Sequence, residues 1–242
     1  MSDVASIQRV NELLTGLPEN EYSRILACSE PVELILGAIL CESGQHFEHV
    51  YFPLTGFISL VKTLEGHKPL EMGLIGNEGM LGVTLVLGVN LAPMQAIVQG
   101  EGTALRISVN QFKHELSESP CLQRSLNLYL YVLLTQLSKT AACTHFHEIE
   151  PRLARWLLMT HDRVHDNHFH LTQQLLADML GVRRSGVTIA AGALQQRKLI
   201  SYVRGEITII NRKGLEAASC ECYNALADDY TNLLALDSTD RL

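Results

Sequence analysis

The hydrophobic positions change period twice along the 242-residue chain. Near the start, Ile7, Val10, Leu13 and Leu14 fall on one helical face, and "TGLP" ends the run. From about residue 31 to 107 the apolar stretches shorten to "VELILGAIL", "VYFPLTGFISLV", "LEMGLI" and "AIVQG", divided by Gly, Pro or polar pairs. Short strands at this spacing predict a small sandwich or barrel. From Val109 the helical period returns, and "CLQRSLNLYLYVLLTQLSKTAACTHF" contains neither Gly nor Pro. Leu126, Leu130, Leu133 and Leu137 recur there at steps of four, three and four, the seam spacing of a coiled coil. A core helix packing on its own strands gives the same spacing. "EPRLARWLLMTHDRV" is a further amphipathic helix with Leu153, Trp156, Leu157 and Thr160 on one side, and the histidine-rich "HDNHFH" after it reads as a polar connector.

Charge divides the chain along similar lines. The formal net charge is −7, but residues 1–145 hold eight basic against fourteen acidic residues, 146–215 ten against six, and 216–242 one against six. Only the second of these segments invites a polyanion. The opening "MSDVASIQRV" has no cationic leader followed by an apolar stretch, and no run reaches the roughly 18 apolar residues that span a bilayer. A cytoplasmic protein without a membrane segment is expected. The six cysteines (28, 41, 121, 143, 220 and 222) have no disulfide-framework spacing and suit a reducing compartment, most of them as packing residues.

Within the basic segment, "ADMLGVRRSGVTIAA" has helical spacing interrupted by Gly181 and Gly186, with two arginines between them. A helix-turn-helix template begun at Gln173 accounts for the first glycine. Ala177 is then the small residue where the helices touch, Gly181 makes the turn, and Leu176, Leu180, Val182, Val187 and Ala190 share a core. Thr172 caps the first helix, which Gln173 and Gln174 open. Arg183 and Arg184 begin the second helix, the end that meets base edges and phosphates in this motif, with Ser185, Gly186, Thr188 and Ile189 following. Gly186 costs about 1 kcal/mol relative to Ala inside a helix, and either close approach to DNA or a tolerated weakness explains it. "LISYVRGEITIINR" then alternates around Arg204-Gly205-Glu206, which predicts a two-stranded wing carrying Arg204 toward a phosphate.

The order of these parts, with "VYFPLTGFISLV", "EPRLARWLL" and "LTQQLLADMLGV", resembles the bacterial regulators named for the cyclic-AMP receptor protein and FNR, over roughly residues 20–215. The resemblance implies an α+β chain: a cyclic-nucleotide-binding-type β-roll (a jelly roll), a long dimerisation helix and a winged helix-turn-helix. It also implies a homodimer on palindromic double-stranded promoter DNA, with RNA polymerase as a further partner. The corresponding boundaries are 1–108, 109–145 and 146–216, with an acidic extension over 217–242 that lies outside the resemblance.

Relatives that bind cyclic AMP hold it with a Gly-Glu pair and a later Arg-Ser pair. The matching positions here, the effector candidates, are Gly76, Asn77, Glu78 and Gly79, then Met94 and Gln95. Glu78 takes the acidic place, but without the arginine a buried phosphate lacks its bidentate partner, and cyclic AMP is not expected. An iron–sulfur cluster of the oxygen-sensing branch is not expected either, because no cysteine precedes Cys28. Arg184 matches an arginine of the family's reading helix, whereas Ser185 and Ile189 replace its other two reading residues, so a different half-site is implied.

His145, His147 and Glu148, His161 with His165, His168 with His170, and Cys220 with Cys222 are metal-ligand types, but none has a complete four-ligand spacing, and no metal is expected. P-loop, G-x-S-x-G and H-E-x-x-H motifs are absent from the sequence, and Gly73, Gly76, Gly79 and Gly82 read as β-roll turns. The sequence therefore predicts a DNA-binding regulator with an unidentified effector and no enzymatic activity. Its alternative is a protein-interaction module with a degenerate helix-turn-helix.

Overall fold

The computed structural model describes residues 11–164 and 166–225. Ile7, Val10, His165 and residues 226–242 lie outside it. Two short helices, α1 (Glu12–Thr15) and α2 (Glu19–Ala27), lead into seven strands: β1 (Glu30–Leu34), β2 (Ile39–Cys41), β3 (His49–Pro53), β4 (Phe57–Lys62), β5 (Leu70–Ile75), β6 (Gln95–Gly100) and β7 (Gly102–Ser108). They form two antiparallel sheets, ordered β1-β7-β3 and β2-β6-β4-β5. Val50, Phe52, Ile58, Ile75, Val98 and Ile107 fill the space between them. The expected short strands and their Gly and Pro breaks are thus present, with a 3-10 helix (Val83–Leu87) inserted after β5.

The helical region after β7 is broken at Ser119-Pro120 into α3 (Val109–Glu118) and the 27-residue α4 (Pro120–Phe146). Proline is tolerated at the first helical position, where its missing N–H has no intrahelical partner to lose. The leucine seam is corrected by burial. Leu126 and Leu133 are buried in the β-roll core, and Leu130 and Leu137 pack partly against it. The inner face also carries Gln136, whose carboxamide accepts from Leu74 N at 2.7 Å and donates to Leu74 O at 3.3 Å, pairing with the outer edge of β5. A side chain at Gly73 would strike Gln136, and one at Gly79 would strike the Tyr129 ring. These two glycines let α4 approach the strands.

A two-residue break at His147-Glu148 separates α4 from α5 (Ile149–Val164), on which Leu153, Trp156, Leu157 and Thr160 are all buried. The C-terminal domain continues with β8 (His168–His170), α6 (Gln173–Leu180), α7 (Arg184–Gln196), β9 (Ile200–Val203), β10 (Glu206–Ile209) and α8 (Arg212–Ala218). The expected polar connector is therefore partly a strand, and the wing has three strands, ordered β8-β10-β9. Beyond α8 the chain folds back. Tyr223 accepts from Arg212 at 2.8 Å and donates to Asp162 at 2.8 Å, and Lys139 of α4 donates to the Ala225 carbonyl.

The two domains meet through polar groups buried among apolar ones. Glu71 of β5 accepts from Ser59 Oγ and from Trp156 Nε1, each at 2.7 Å. At the solvent-exposed rim of the contact, Lys68 pairs with Asp178 at 3.1 Å. Gly181 comes so close to Leu70 that a Cβ would lie 2.7 Å from its Cδ1. Burial pushes the Glu71 carboxyl up to about 7, against the opposing pull of Ser59, Trp156, Arg155 and Arg163.

Because its folded-state pKa lies above its ordinary 4.5, the folded chain retains a proton that the unfolded chain sheds. Stability from this group is present in full below pH ~4.5 and is lost as pH rises toward about 7. The loss is on the order of 3 kcal/mol. Glu71→Gln retains an acceptor for Trp156 and cannot ionise. Urea midpoints from pH 5 to 8 should therefore fall less steeply in the variant than in the parent chain; parallel profiles would remove Glu71 as the cause.

Candidate DNA-binding interface

The helix-turn-helix follows the template closely. The Thr172 hydroxyl accepts from Leu175 N at 3.1 Å, capping α6. Gly181 has φ +64°, a left-handed conformation that ends α6 and costs glycine little. Leu176, Ala177, Leu180, Val187 and Ala190 are buried together, and Val182 packs half-buried against them. The motif is intact, which disfavours the degenerate alternative.

One side of this domain presents the predicted DNA-binding residues. Thr172, Gln173, Arg184 and Arg204, with Tyr202 and Gly205, line a concavity of about 330 Å³ between the start of α6, the start of α7 and the wing. Arg184, Ser185 and Ile189 are exposed along α7, with Thr188 among them. Ile189 is 74% exposed, an unusual position for isoleucine in a packed domain. The Gln173 carboxamide accepts from the Thr188 hydroxyl at 2.8 Å, which links the two helices, and Gln174 turns back to donate to Asp178 at 2.9 Å.

The wing tip is a two-residue turn in which Arg204 has φ +53° and Gly205 φ +90°. Both central residues of this hairpin turn lie at positive φ, where glycine is at ease and arginine is not. Glu206 beside it is held by His168 and His170, each at 2.8 Å. The histidines draw the Glu206 pKa down.

Gly186 packs toward α5, where a Cβ would lie 2.7 Å from Ile149 Cδ1. Room for helix packing is thus a third reason for glycine here, beside the two read from the sequence.

The effector candidates are not brought together. Gly76 N donates to the Glu78 carboxylate at 3.1 Å, and Arg163 of α5 donates to the same carboxylate at 3.0 and 2.5 Å. Glu78 is thus spent on an ion pair between the domains, as a largely buried carboxylate requires. The Asn77 carbonyl accepts from Glu12 N at 2.8 Å, Gly79 lies against Tyr129, and Gln95 donates to Glu42 at 2.8 Å. Met94 alone of the six lines the pocket inside the β-roll, with Phe47, Leu60, Ile75, Leu81 and Leu133 among its neighbours. That lining is apolar apart from Thr84 and offers no cation for a phosphate. Its free volume is about 30 Å³, against the roughly 300–1,000 Å³ of ligand pockets.

Sequence reasoning missed three features. Tyr202 at the concavity donates its hydroxyl to Leu171 O at 2.7 Å, and an alternating strand gave no sign of that role. The outward face of α4, with Tyr131 61% and Leu134 58% exposed, was hidden by the stronger leucine pattern on the inner face. His147, Cys143, Cys220 and Cys222 converge in space across a long separation in sequence.

Residues 31–119 match the family model of the cyclic nucleotide-binding domain, and residues 151–218 match that of the Crp-like helix-turn-helix domain. No curated protein sequence matches the chain. Among solved structures it is similar to FixK2 from Bradyrhizobium japonicum, with TM-score 0.66, 14% identity, and coverage of 79% of this chain and 98% of that one. It is also similar to a CRP/FNR-family transcriptional regulator from Thermus thermophilus, at TM-score 0.65 and 20% identity, covering 78% of this chain and 98% of the other. The c-di-GMP responsive global regulator CLP of Xanthomonas campestris gives TM-score 0.64 and 16% identity, with 79% and 99% covered. At these identities the structural likeness establishes the fold. Among the described residues no helix is long and apolar enough to cross a membrane. With the two domain models matched in this order on either side of a long helix, the chain belongs to the Crp/Fnr-like superfamily of transcription regulators.

Proposed function

We propose that the chain works as a homodimer that reads a palindromic promoter site, with α7 of each protomer in one of two successive major grooves about 34–36 Å apart. The observation that carries this reading is the concavity that gathers Thr172, Gln173, Arg184 and Arg204 beside the exposed start of α7. Arg184 has the fork geometry to pair with a guanine edge, and Ile189 presents a methyl surface suited to thymine. Arg183 and Arg204 meet phosphates, and the capped start of α6 offers its backbone N–H groups to another.

The dimer seam is the outward face of α4. Asn127, Tyr131, Leu134, Ser138, Ala141 and His145 are exposed at steps of four, three, four, three and four, which satisfies the heptad rule on the side opposite the β-roll. The effector that acts at the β-roll is not cyclic AMP, because the matching positions lack the arginine that would pair with its phosphate. It acts by binding one arrangement of the domains better than the other, and the break at His147-Glu148 is where those arrangements diverge.

Selection from a random duplex pool should enrich a palindrome. For that site, Arg184→Ala should lose about 1–3 kcal/mol of affinity and relax preference at one base pair per half-site. Undiminished affinity and preference in the variant would remove Arg184 from the interface.

Sedimentation separates the two faces of α4. Leu134→Glu should yield folded monomers with weakened palindrome binding, whereas Leu126→Glu should disrupt the β-roll itself. A Leu134→Glu chain that stays dimeric would place the seam elsewhere.

At the wing, Arg204→Gly should raise stability by up to about 1 kcal/mol, the relief of a left-handed backbone less the entropy that glycine adds to the unfolded chain, and at the same time weaken DNA binding and flatten its salt dependence. Denaturation and titration of the same sample test both signs, and gain or no change in DNA affinity would take Arg204 off the DNA.

A further inference from the structure

A second group of reactive side chains lies away from the DNA-facing concavity. Cys143 is in the last turn of α4, His147 is in the break after it, and Cys220 and Cys222 follow α8. Each offers one ligand atom, and the four atoms lie within 4.8 Å of one another. Cys143 Sγ is 3.6 Å from Cys220 Sγ, and Cys222 Sγ is 3.7 Å from His147 Nδ1. The three cysteines are buried, and they cluster with each other apart from the two large apolar cores.

We propose that Cys143, His147, Cys220 and Cys222 form a mononuclear tetrahedral site for a zinc-class divalent metal, tying the end of the long helix to the segment that follows the winged domain. Three thiolates and one imidazole are a recurrent structural zinc set. Bonds of about 2.3 Å to sulfur and 2.0–2.1 Å to nitrogen give tetrahedral edges of about 3.5–3.8 Å. The two separations above match those edges before any adjustment. A [4Fe–4S] cluster, which holds each thiolate on a different iron, needs its sulfurs farther apart.

The surroundings agree with this reading. His147 Nε2 lies 3.1 Å from the Glu221 carboxylate, so the ring donates its proton outward and turns the Nδ1 lone pair toward the thiols. A carboxylate behind a metal-binding imidazole is the usual means of fixing that tautomer. Three thiolates around a dication leave one net negative charge, and the buried Arg155 guanidinium, which donates to Thr140 one turn before Cys143 at 3.4 Å, is the neighbouring cation that offsets it. Binding displaces the three thiol protons to solvent and requires no oxidant.

The site is tested on the untagged full-length chain, isolated without chelator and with thiols alkylated at lysis in a parallel sample. Metal analysis should find about one zinc per chain. Replacement by Co2+ should give the intense visible bands of tetrahedral thiolate cobalt, a readout that needs no variant. Cys222→Ser and His147→Ala should abolish or displace those bands. Glu221→Gln, an exposed position that leaves the fold intact, should weaken metal binding by 10- to 100-fold. A reduced, folded parent chain that gives no tetrahedral cobalt spectrum would overturn the proposal. So would a Cys143–Cys220 disulfide in the alkylated sample, or cobalt bands unchanged in Cys222→Ser.

Discussion

The helix from Pro120 to Phe146 has to close an open β-roll with one face, and the rest of the chain is arranged by how it does so. Leu122, Leu126, Tyr129, Val132 and Leu133 supply the apolar part of that closure. Gln136 supplies the polar part, because its carboxamide pairs with both backbone groups of Leu74 on the sheet edge that no strand covers. An unpaired edge is a site of unwanted association, and a buried amide without partners is costly, so each solves the other's problem. Gly73 and Gly79 are required because the helix sits too close for a Cβ at either place. Once the inner face is committed in this way, only the outer face remains for a partner, and the direction of α5 follows from where α4 stops.

The same economy governs the contact between the domains. Besides the surface pair Lys68–Asp178, it holds buried and satisfied charges: Glu71 between Ser59 and Trp156, and Glu78 under Arg163. Buried ion pairs contribute little net stability, because desolvation offsets attraction, yet leaving one partner alone is expensive. An interface built on such groups tolerates one alignment and penalises small displacements. A purely apolar contact, by contrast, would let the two domains slide.

How much of this was legible in the sequence depended on whether the determining physics was local. The strands were legible because their breaks are made by Gly and Pro on the spot. The helix-turn-helix was legible because Ala177, Gly181 and Val187 answer steric demands within a few residues of each other. The leucine run was misleading for a physical reason. A helix covering a β-roll and a helix pairing with a copy of itself both repeat at about 3.5 residues, and α4 carries both stripes. Spacing alone does not tell which stripe faces in. The ion pair of Glu78 and the packing of Gly186 were not legible because their partners, Arg163 and Ile149, lie on a helix that periodicity cannot orient. The cysteines and His147 belong to two pairs more than seventy residues apart, and only the return of the chain after α8 brings them together.

The charge of the basic segment also takes a different meaning in three dimensions. Ten cations in residues 146–215 invite the inference of a strongly attractive DNA face. Three of them, Arg152, Arg155 and Arg163, are buried inside the fold. Arg152 bonds the last carbonyl of α6, and Arg163 holds Glu78. Arg197 is matched by Glu150, and Arg212 by Asp162 and Glu216. The cations that remain on the DNA-facing side are chiefly Arg183, Arg184 and Arg204. Each phosphate neutralised releases roughly one counterion, so this small number of cations keeps the sequence-independent attraction small. An acidic protein with that arrangement does not coat DNA. Under the function proposed above, the larger share of its affinity comes from base edges met by Arg184 and Ile189, and a weak general attraction favours discrimination of one site from the rest of the genome.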